Sequence, residues 1–234
     1  MITTAALCPA PPLLARELTG TDPVAQDLRQ ACLDATAGLL ASEPDLVAVV
    51  GVAAQTRRWP SDGRLDLAVY GPGLDAPAGA VGPPRPPVPL SLGLGARLLD
   101  QTGYAGRRAL QSVSEQEPTA ACAALGARLA SAAARVALLV MADGSARRGL
   151  KAPGYLDDRS LPFDAAVEGA VRAGDLSALL ALDPVLAREL MATGRAGWQV
   201  LAGAMNGRRP VSKIWYRDDP FGVAYLVASL RPGG

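Results

Sequence analysis

The chain has 234 residues, half of them hydrophobic, and a formal net charge of +1. This length fits one large domain or two small ones, and the near-neutral charge provides no general attraction to nucleic acid or to an anionic membrane. The sequence contains no histidine, which excludes Ser-His-Asp and Cys-His catalysis, His-ligated zinc and the iron site built from two histidines and one carboxylate.

The three cysteines, Cys8, Cys32 and Cys122, are far apart in the sequence. They form neither a CxxC metal pair nor a disulfide framework, which favours a reducing compartment. The first residues lack the basic region of a signal peptide, and nowhere are there about 18 consecutive apolar residues, the length of a membrane-spanning helix. We therefore expect a cytoplasmic, soluble protein in which Cys8 is a buried structural residue rather than a reactive thiol.

Strands and helices are predicted to alternate through the first two thirds of the chain. Short, largely apolar segments, typical of buried strands, lie at residues 2–8, 46–52, 65–70, 107–113 and 135–141. Segments with helical periodicity lie at residues 22–40, 91–101 and 119–133. The first of these helices begins with Asp22 as N-cap and Pro23 at the first helical position. Alternation of this kind indicates an α/β sheet.

The last third of the chain has a different pattern. A helical pattern at about 163–204 is broken at Gly174, Pro184 and Gly194, which predicts several short helices. Two more strand candidates, which predict a closing β-hairpin, follow at 213–217 and 223–230. We therefore predict one α/β domain over 1–234, with a central mixed β-sheet flanked by helices, a C-terminal helical insertion and a closing β-hairpin.

Composition and spacing also make predictions for one loop and for the aromatic residues. Pro, Gly and Ala dominate residues 75–89, which predicts a long surface loop. Trp59 follows two arginines and precedes a proline, so we expect it to be an exposed aromatic side chain in a loop. Trp198 and Tyr225 have spacings typical of core residues. With no nucleic-acid motif and little net charge, we expect no nucleic-acid partner.

Ligands of open α/β sheets gather at the carboxyl ends of the strands. The segment after the strand at 135–141 is polar, and its candidate ligand-binding residues are Asp143, Ser145, Arg147, Arg148, Lys151, Tyr155 and Asp157. Backbone amides freed by Gly144, together with an arginine fork, could hold a carboxylate or a phosphate. The alternative is a solvated loop whose Arg and Asp residues pair with one another.

Two further chemistries are open for the same segment. Ser145 could act as a nucleophile with Lys151 as its base, although the surrounding sequence is not the Gly-x-Ser-x-Gly elbow. Asp143 and Asp157 could hold Mg²⁺ or Ca²⁺ through oxygen atoms alone.

The segment Cys8-Pro9-Ala10-Pro11-Pro12-Leu13-Leu14 resembles the His-Pro-Pro-Leu-Leu segment of class III extradiol ring-cleavage dioxygenases, of the protocatechuate 4,5-dioxygenase β-subunit type. The resemblance continues in order with a loop at 51–55, a strand ending near 144–146 and a closing Pro-Phe-Gly-Val segment at 220–223. It is closest to small, Ala-rich bacterial members of unknown function, which share the Asp-Gly-Ser-Ala-Arg-Arg segment at 143–148 and the Lys-Ala-Pro-Gly-Tyr-Leu-Asp segment at 151–157.

The resemblance implies the fold of the extradiol dioxygenase β-subunits, but this sequence departs from the iron site of those enzymes. Where they have metal-binding histidines, it has Ala10 and, at the next strand end, Ala53 or Gln55. Near Ala146 they have a further histidine for acid–base chemistry, which is also missing. We therefore expect no cofactor, no iron and no ring cleavage.

This reasoning predicts a protein that binds a small anionic molecule or a protein partner at the strand-end cleft. The alternative is an enzyme of a different reaction, either metal-independent or dependent on oxygen-ligated Mg²⁺ or Ca²⁺. Asp143, Lys151, Tyr155 and Asp157 would then supply the acid and the base. Subunits of the extradiol dioxygenase family pair with one another, so the resemblance also implies that this chain could form a homo-oligomer.

Overall fold

A seven-stranded mixed sheet organises the computed structural model, which describes residues 1–71, 74, 86–205 and 207–233. The strands are β1 (Ile2–Cys8), β2 (Leu46–Ala53), β3 (Arg57–Trp59), β4 (Arg108–Ser114), β5 (Val136–Met141), β6 (Val211–Asp218) and β7 (Tyr225–Arg231). Their order across the sheet is β3-β4-β2-β5-β1-β7-β6. The four strands β4, β2, β5 and β1 are parallel, whereas β3, β7 and β6 each pair antiparallel to a neighbour.

Helices cover both faces of this sheet. They are α1 (Arg16–Thr19), α2 (Pro23–Leu40), α3 (Leu90–Gln101), α4 (Thr119–Ala130), α5 (Ser160–Ala173), α6 (Leu176–Leu180), α7 (Pro184–Glu189) and α8 (Arg195–Met205). On β5, Leu138 and Val140 pack with the core of α4 to α8, whereas Leu139 and Met141 pack with the core of α2 and α3. Burial on both faces explains why the central strands are continuously apolar. Within the described residues, no helix combines the length and apolar character needed to cross a bilayer.

Local sequence signals set several of the element boundaries. Asp22 caps α2, its carboxylate accepting a hydrogen bond from the Ala25 amide, and Pro23 is the first helical residue. Asp183 caps α7 in the same way through the Val185 amide. The structure confirms the α/β architecture, the run of short helices α5 to α8 and the closing hairpin of β6 and β7.

Two predictions in the segment after β2 are wrong. Residues 65–70 form no strand; their only regular structure is a 3₁₀ turn at Ala68–Tyr70. The strand of this region is β3, in which Arg57 pairs with Ser112 of β4. Trp59 is half-buried on β3 rather than exposed in a loop, and its indole N–H donates to the Ser112 hydroxyl at 2.8 Å. The backbone hydrogen bonds to the edge strand β4 therefore decide the conformation of this segment, and its two arginines do not prevent strand formation.

The predicted surface loop at 75–89 lies largely outside the described residues. From residue 86 onward the chain is described, and Pro87 forms a bridge with Arg64. Val88 is buried in the core of α2 and α3. At this end of the segment, Val88 is therefore packed in the core, whereas Pro87 lies on the surface.

Candidate functional site

The strand order brings three chain segments to one edge of the sheet. Because β1 and β2 flank β5 and all three run parallel, their carboxyl ends meet there. Ala10 and Ala146 are buried, Ala53 is half-buried and Gln55 is exposed. Within the described residues, no group of three or more His, Cys, Asp or Glu side chains is arranged to hold a metal ion.

Asp143 joins the ends of β1 and β5. Its Oδ1 accepts a hydrogen bond from the Ala10 amide at 2.8 Å. Burial raises the pKa of this carboxyl to about 6, and the hydrogen bond from Ala10 opposes the rise only in part. In the described part of the chain, no arginine or lysine forms a salt bridge with Asp143. This carboxyl can therefore exchange a proton near neutral pH.

The next residues of the loop bind an internal carboxylate. Asp164, on α5, accepts hydrogen bonds from the Ser145 amide (2.9 Å), the Ser145 hydroxyl (2.5 Å) and Nη1 of Arg148 (3.2 Å). Nε of Arg148 donates to Asp219, in the turn between β6 and β7, at 2.5 Å. The Gly144 amide donates to the Ala224 carbonyl. Of the donors that the sequence suggested for an external anion, the amides of Gly144 and Ser145 and the side chain of Arg148 are therefore held by the protein's own groups.

This arrangement corrects the idea of Ser145 as a nucleophile. Ser145 is fully buried, and its hydroxyl donates to Asp164 rather than to Lys151. Gly144 is needed beside it, since a Cβ at that position would come within 2.9 Å of Oδ1 of Asp164 and closer still to Ala224. Lys151 is exposed. The pair required for Ser-Lys chemistry is not assembled.

The other predicted residues of the loop are separated from this cluster. Asp157 accepts from the side chain of Arg159, which lowers the pKa of Asp157 to about 2, and Arg159 also binds Glu189. Tyr155 is exposed and has a positive φ of 62°. Asp157 is thus a structural ion-pair partner, and its carboxylate oxygens are already used by Arg159.

The side chain of Arg147, unlike that of Arg148, has no polar partner in the described structure. It is half-buried, and its Nε is buried without a hydrogen bond. The side chain packs on Gly154, where an added Cβ would lie 2.6 Å from Cγ of Arg147 and 2.6 Å from Sδ of Met191. The charge of Arg147 contributes to the low pKa of Asp157, but no hydrogen bond joins the two side chains.

A cavity of about 540 Å³ borders the same loop at Gly144 and Arg148 and lies between α5 and the β6–β7 hairpin. Its charged lining residues are Arg148, Asp164, Glu168, Arg217, Asp218 and Asp219. Its uncharged lining residues are Gly144, Leu161, Pro162, Ala165, Val167, Trp198, Ala224, Tyr225 and Leu226. Of the predicted site residues, only Arg148 lines this cavity, with Ser145 behind its wall.

Sequence reasoning missed most of this lining. Asp164 and Glu168 are four residues apart, which places both on one face of α5. These two acidic residues on one helix face were the sequence feature that could have indicated the cavity wall. Two acidic residues on one helix face are, however, also typical of a helix surface in contact with solvent. Asp218 and Asp219 have the composition of an ordinary turn.

Comparison with known proteins adds a likeness of fold. No family model matches the chain, and no curated protein matches it. The solved structures similar to it include that of the uncharacterized protein JW3007 from Escherichia coli K12, with 13% sequence identity and a TM-score of 0.54. The match covers 98% of this chain and 99% of that chain. At this identity, the likeness shows that both chains share an α/β fold over their whole length.

Proposed function

We propose that this chain is an extradiol dioxygenase-like protein that does not cleave aromatic rings and instead binds a small anionic molecule at Arg147. The observation that carries the proposal is the half-buried guanidinium of Arg147, which has no hydrogen-bond or salt-bridge partner among the described residues. A neighbouring arginine, Arg148, shows the contrast, because two carboxylates bind it.

Physical chemistry gives this guanidinium a preferred ligand. A buried donor without an acceptor costs roughly 1–3 kcal/mol, and a ligand that accepts its hydrogen bond recovers that cost. The planar fork of arginine matches the two oxygens of a carboxylate or phosphate. Gly154 lies against Cγ and Nε of Arg147, because a Cβ at Gly154 would come within 2.6 Å and 3.0 Å of these atoms.

The residues at the strand ends support the iron-free part of the proposal. The resemblance assigns one metal-binding histidine to Ala10, a second to Ala53 or Gln55, and an acid–base histidine near Ala146. No alanine side chain can ligate a metal, and Asp143 is the acidic residue near them. An iron site of two histidines and a carboxylate would lack both nitrogen ligands.

Isothermal titration calorimetry with benzoate and with inorganic phosphate tests the proposed binding. We expect at least one of these anions to bind. In Arg147→Ala its affinity should fall about tenfold or more, because a charge-assisted hydrogen bond contributes about 1.5–3 kcal/mol. Arg135→Ala, which removes an arginine paired with Asp45 and Glu43 before the start of β5 and so at the opposite edge of the sheet, is the matched control and should leave binding unchanged. Equal binding by the parent and Arg147→Ala would contradict the proposal.

A second candidate function is acid–base catalysis by Asp143, favoured by its pKa of about 6. An acid or base is most effective when its pKa is near the working pH. Tyr225, which lines the cavity, has its own pKa raised by burial first and further by the charge of Asp143, so Asp143 lies close to that wall. Any turnover of a bound ligand should then follow an apparent pKa near 6 and disappear in Asp143→Asn.

A protein partner or a homo-oligomer remains a prediction. Exposed apolar side chains support it, because Leu150, Tyr155, Leu156 and Met191 lie in or against the loop that contains Arg147. Exposed apolar side chains grouped in one region are typical of interaction surfaces. Light scattering coupled to size-exclusion chromatography tests the homo-oligomer directly, and a monomer at all concentrations would remove it.

A further inference from the structure

We propose that the anion bound at Arg147 is an aliphatic monocarboxylate, whose hydrocarbon tail covers exposed apolar side chains beside this arginine. The inference rests on the proposed function, since it names the class of ligand that the same site takes. Three observations carry it: the attachment of residues 154–157 to the backbone around Arg147, the apolar side chains exposed there, and the balance of charge around the guanidinium.

Backbone hydrogen bonds fix the segment at 154–157 beside Arg147. The Gly154 amide donates to the Ala146 carbonyl at 2.9 Å, and the Asp157 amide donates to the Arg147 carbonyl at 3.0 Å. The hydroxyl of residue 160 donates to the same Arg147 carbonyl. The two residues between Gly154 and Asp157 are therefore kept close to Arg147 by the main chain.

The side chains that this arrangement brings to Arg147 are apolar and exposed. Tyr155 and Leu156, the two residues between the hydrogen-bonded positions, are 62% and 42% exposed. Met191, which follows α7, is 42% exposed. Its Sδ and Cγ of Arg147 each lie 2.6 Å from one point, the position that a Cβ at Gly154 would take, so the two side chains are neighbours. The guanidinium is thus bordered by apolar surface from two parts of the chain.

The backbone conformations of two of these residues are a separate observation. Tyr155 and Met191 have φ values of 62° and 55°, in the left-handed region that favours glycine. They are two of the three non-glycine residues with a positive φ in the described part of the chain. Large side chains are kept at both positions at a cost in stability, and residues strained in this way cluster at ligand sites.

The charges around Arg147 favour a singly charged ligand with an apolar tail. Arg147 and Arg159 lie near two carboxylates, Asp157 and Glu189, so positive and negative charges balance. A doubly charged phosphate is repelled by these carboxylates more strongly than a monocarboxylate is. One partly exposed ion pair also gives little affinity by itself. A hydrocarbon tail adds the burial of its own surface and of the apolar side chains beside the guanidinium.

A series of ligands with increasing tail length tests this inference: acetate, butyrate, hexanoate and octanoate, with 1-hexanol as the tail without a carboxylate. Calorimetric titration of the full chain should show the affinity rising about twofold to fourfold with each added methylene, the gain expected for burying part or all of that group. Acetate should bind most weakly of the four acids. 1-Hexanol should bind about tenfold or more weakly than hexanoate, because it cannot use the charge of Arg147.

Variants assign the two parts of the ligand. Arg147→Ala should weaken acetate and hexanoate by the same factor. Tyr155→Gly should weaken hexanoate about threefold to tenfold and leave acetate unchanged, and glycine suits the left-handed backbone, so the variant should fold like the parent. Tyr155→Phe should keep the parent's affinity for hexanoate. Val211→Gly also removes an exposed apolar side chain, but at the opposite edge of the sheet, and should change neither affinity.

The outcomes separate this inference from the proposed function. Both fail if none of the carboxylates binds and phosphate does not bind either. The anion site stands and the tail is refuted if acetate, hexanoate and phosphate bind equally well and all lose affinity in Arg147→Ala. A Tyr155→Gly variant that binds hexanoate like the parent also overturns the inference. Affinity that is independent of tail length, together with a changed oligomeric state in Tyr155→Gly, would assign the apolar side chains to a protein interface instead.

Discussion

Arg147 and Arg148 are adjacent in sequence, yet replacing them should change stability in different ways. In Arg148→Met, Asp164 loses the only salt bridge that it forms with a described residue, and Asp219 loses the same partner. Removal of one member of a buried pair costs about 3–5 kcal/mol. Asp164 keeps two hydrogen bonds from Ser145, and Asp219 is 37% exposed in its side chain, so we expect about 2–3 kcal/mol.

Arg147→Met should leave the free energy of unfolding unchanged or raise it by about 1 kcal/mol. The substitution removes a buried donor that lacks an acceptor and keeps an apolar stem against Gly154 and Met191. Chemical denaturation and thermal unfolding measure both variants. For a chain of this size, Arg148→Met should lower Tm by about 4–12 °C, and Arg147→Met should not lower it. Equal losses in the two variants would refute the assignment of partners.

Three other perturbations have definite expected outcomes. Gly126→Ala should lower the free energy of unfolding by about 1–3 kcal/mol, because a Cβ there would lie 2.0 Å from the Val200 carbonyl oxygen. Gly169→Ala should instead stabilise α5, because nothing lies within 4 Å of the added Cβ. Urea unfolding compares the two variants. Asp143→Asn should gain about 2 kcal/mol of stability relative to the parent as pH rises from about 4 to about 6, since the folded parent keeps a proton on Asp143 that the unfolded chain releases; a constant difference across this range would contradict the raised pKa. Elemental analysis of untagged protein should show no stoichiometric iron, with no oxygen uptake on protocatechuate; bound iron would mean that carboxylates or Cys8 supply its ligands.

The sequence predicts the buried part of the sheet well because that part depends on local signals. Continuous apolar segments mark β1, β2 and β5, and Asp22 with Pro23 marks the start of α2. The edge of the sheet is harder to predict. Two successive arginines, Arg57 and Arg58, do not indicate a strand in the sequence. They form one because their backbone pairs with β4, and no local sequence pattern reveals that pairing.

The candidate site is less predictable, because its partners are distant in sequence. Asp164 is 19 residues from Ser145, and Asp219 is 71 residues from Arg148. From sequence alone, Arg147 and Arg148 were equivalent members of one anion site. Which of them is neutralised by the protein depends on the packing of α5 and the β6–β7 turn against the loop.

The internal carboxylate explains why two adjacent arginines of one loop are left in different states. Asp164 occupies the donors of Ser145 and Arg148, so that side of the loop contributes no free positive charge to the cavity. Arg147 extends from the same loop but is bound by no carboxylate of the described residues, so in the proposed function its charge is left for a ligand. An unpaired, half-buried arginine side chain lowers the stability of the folded chain. Such a loss of stability is typical of groups that are retained for binding.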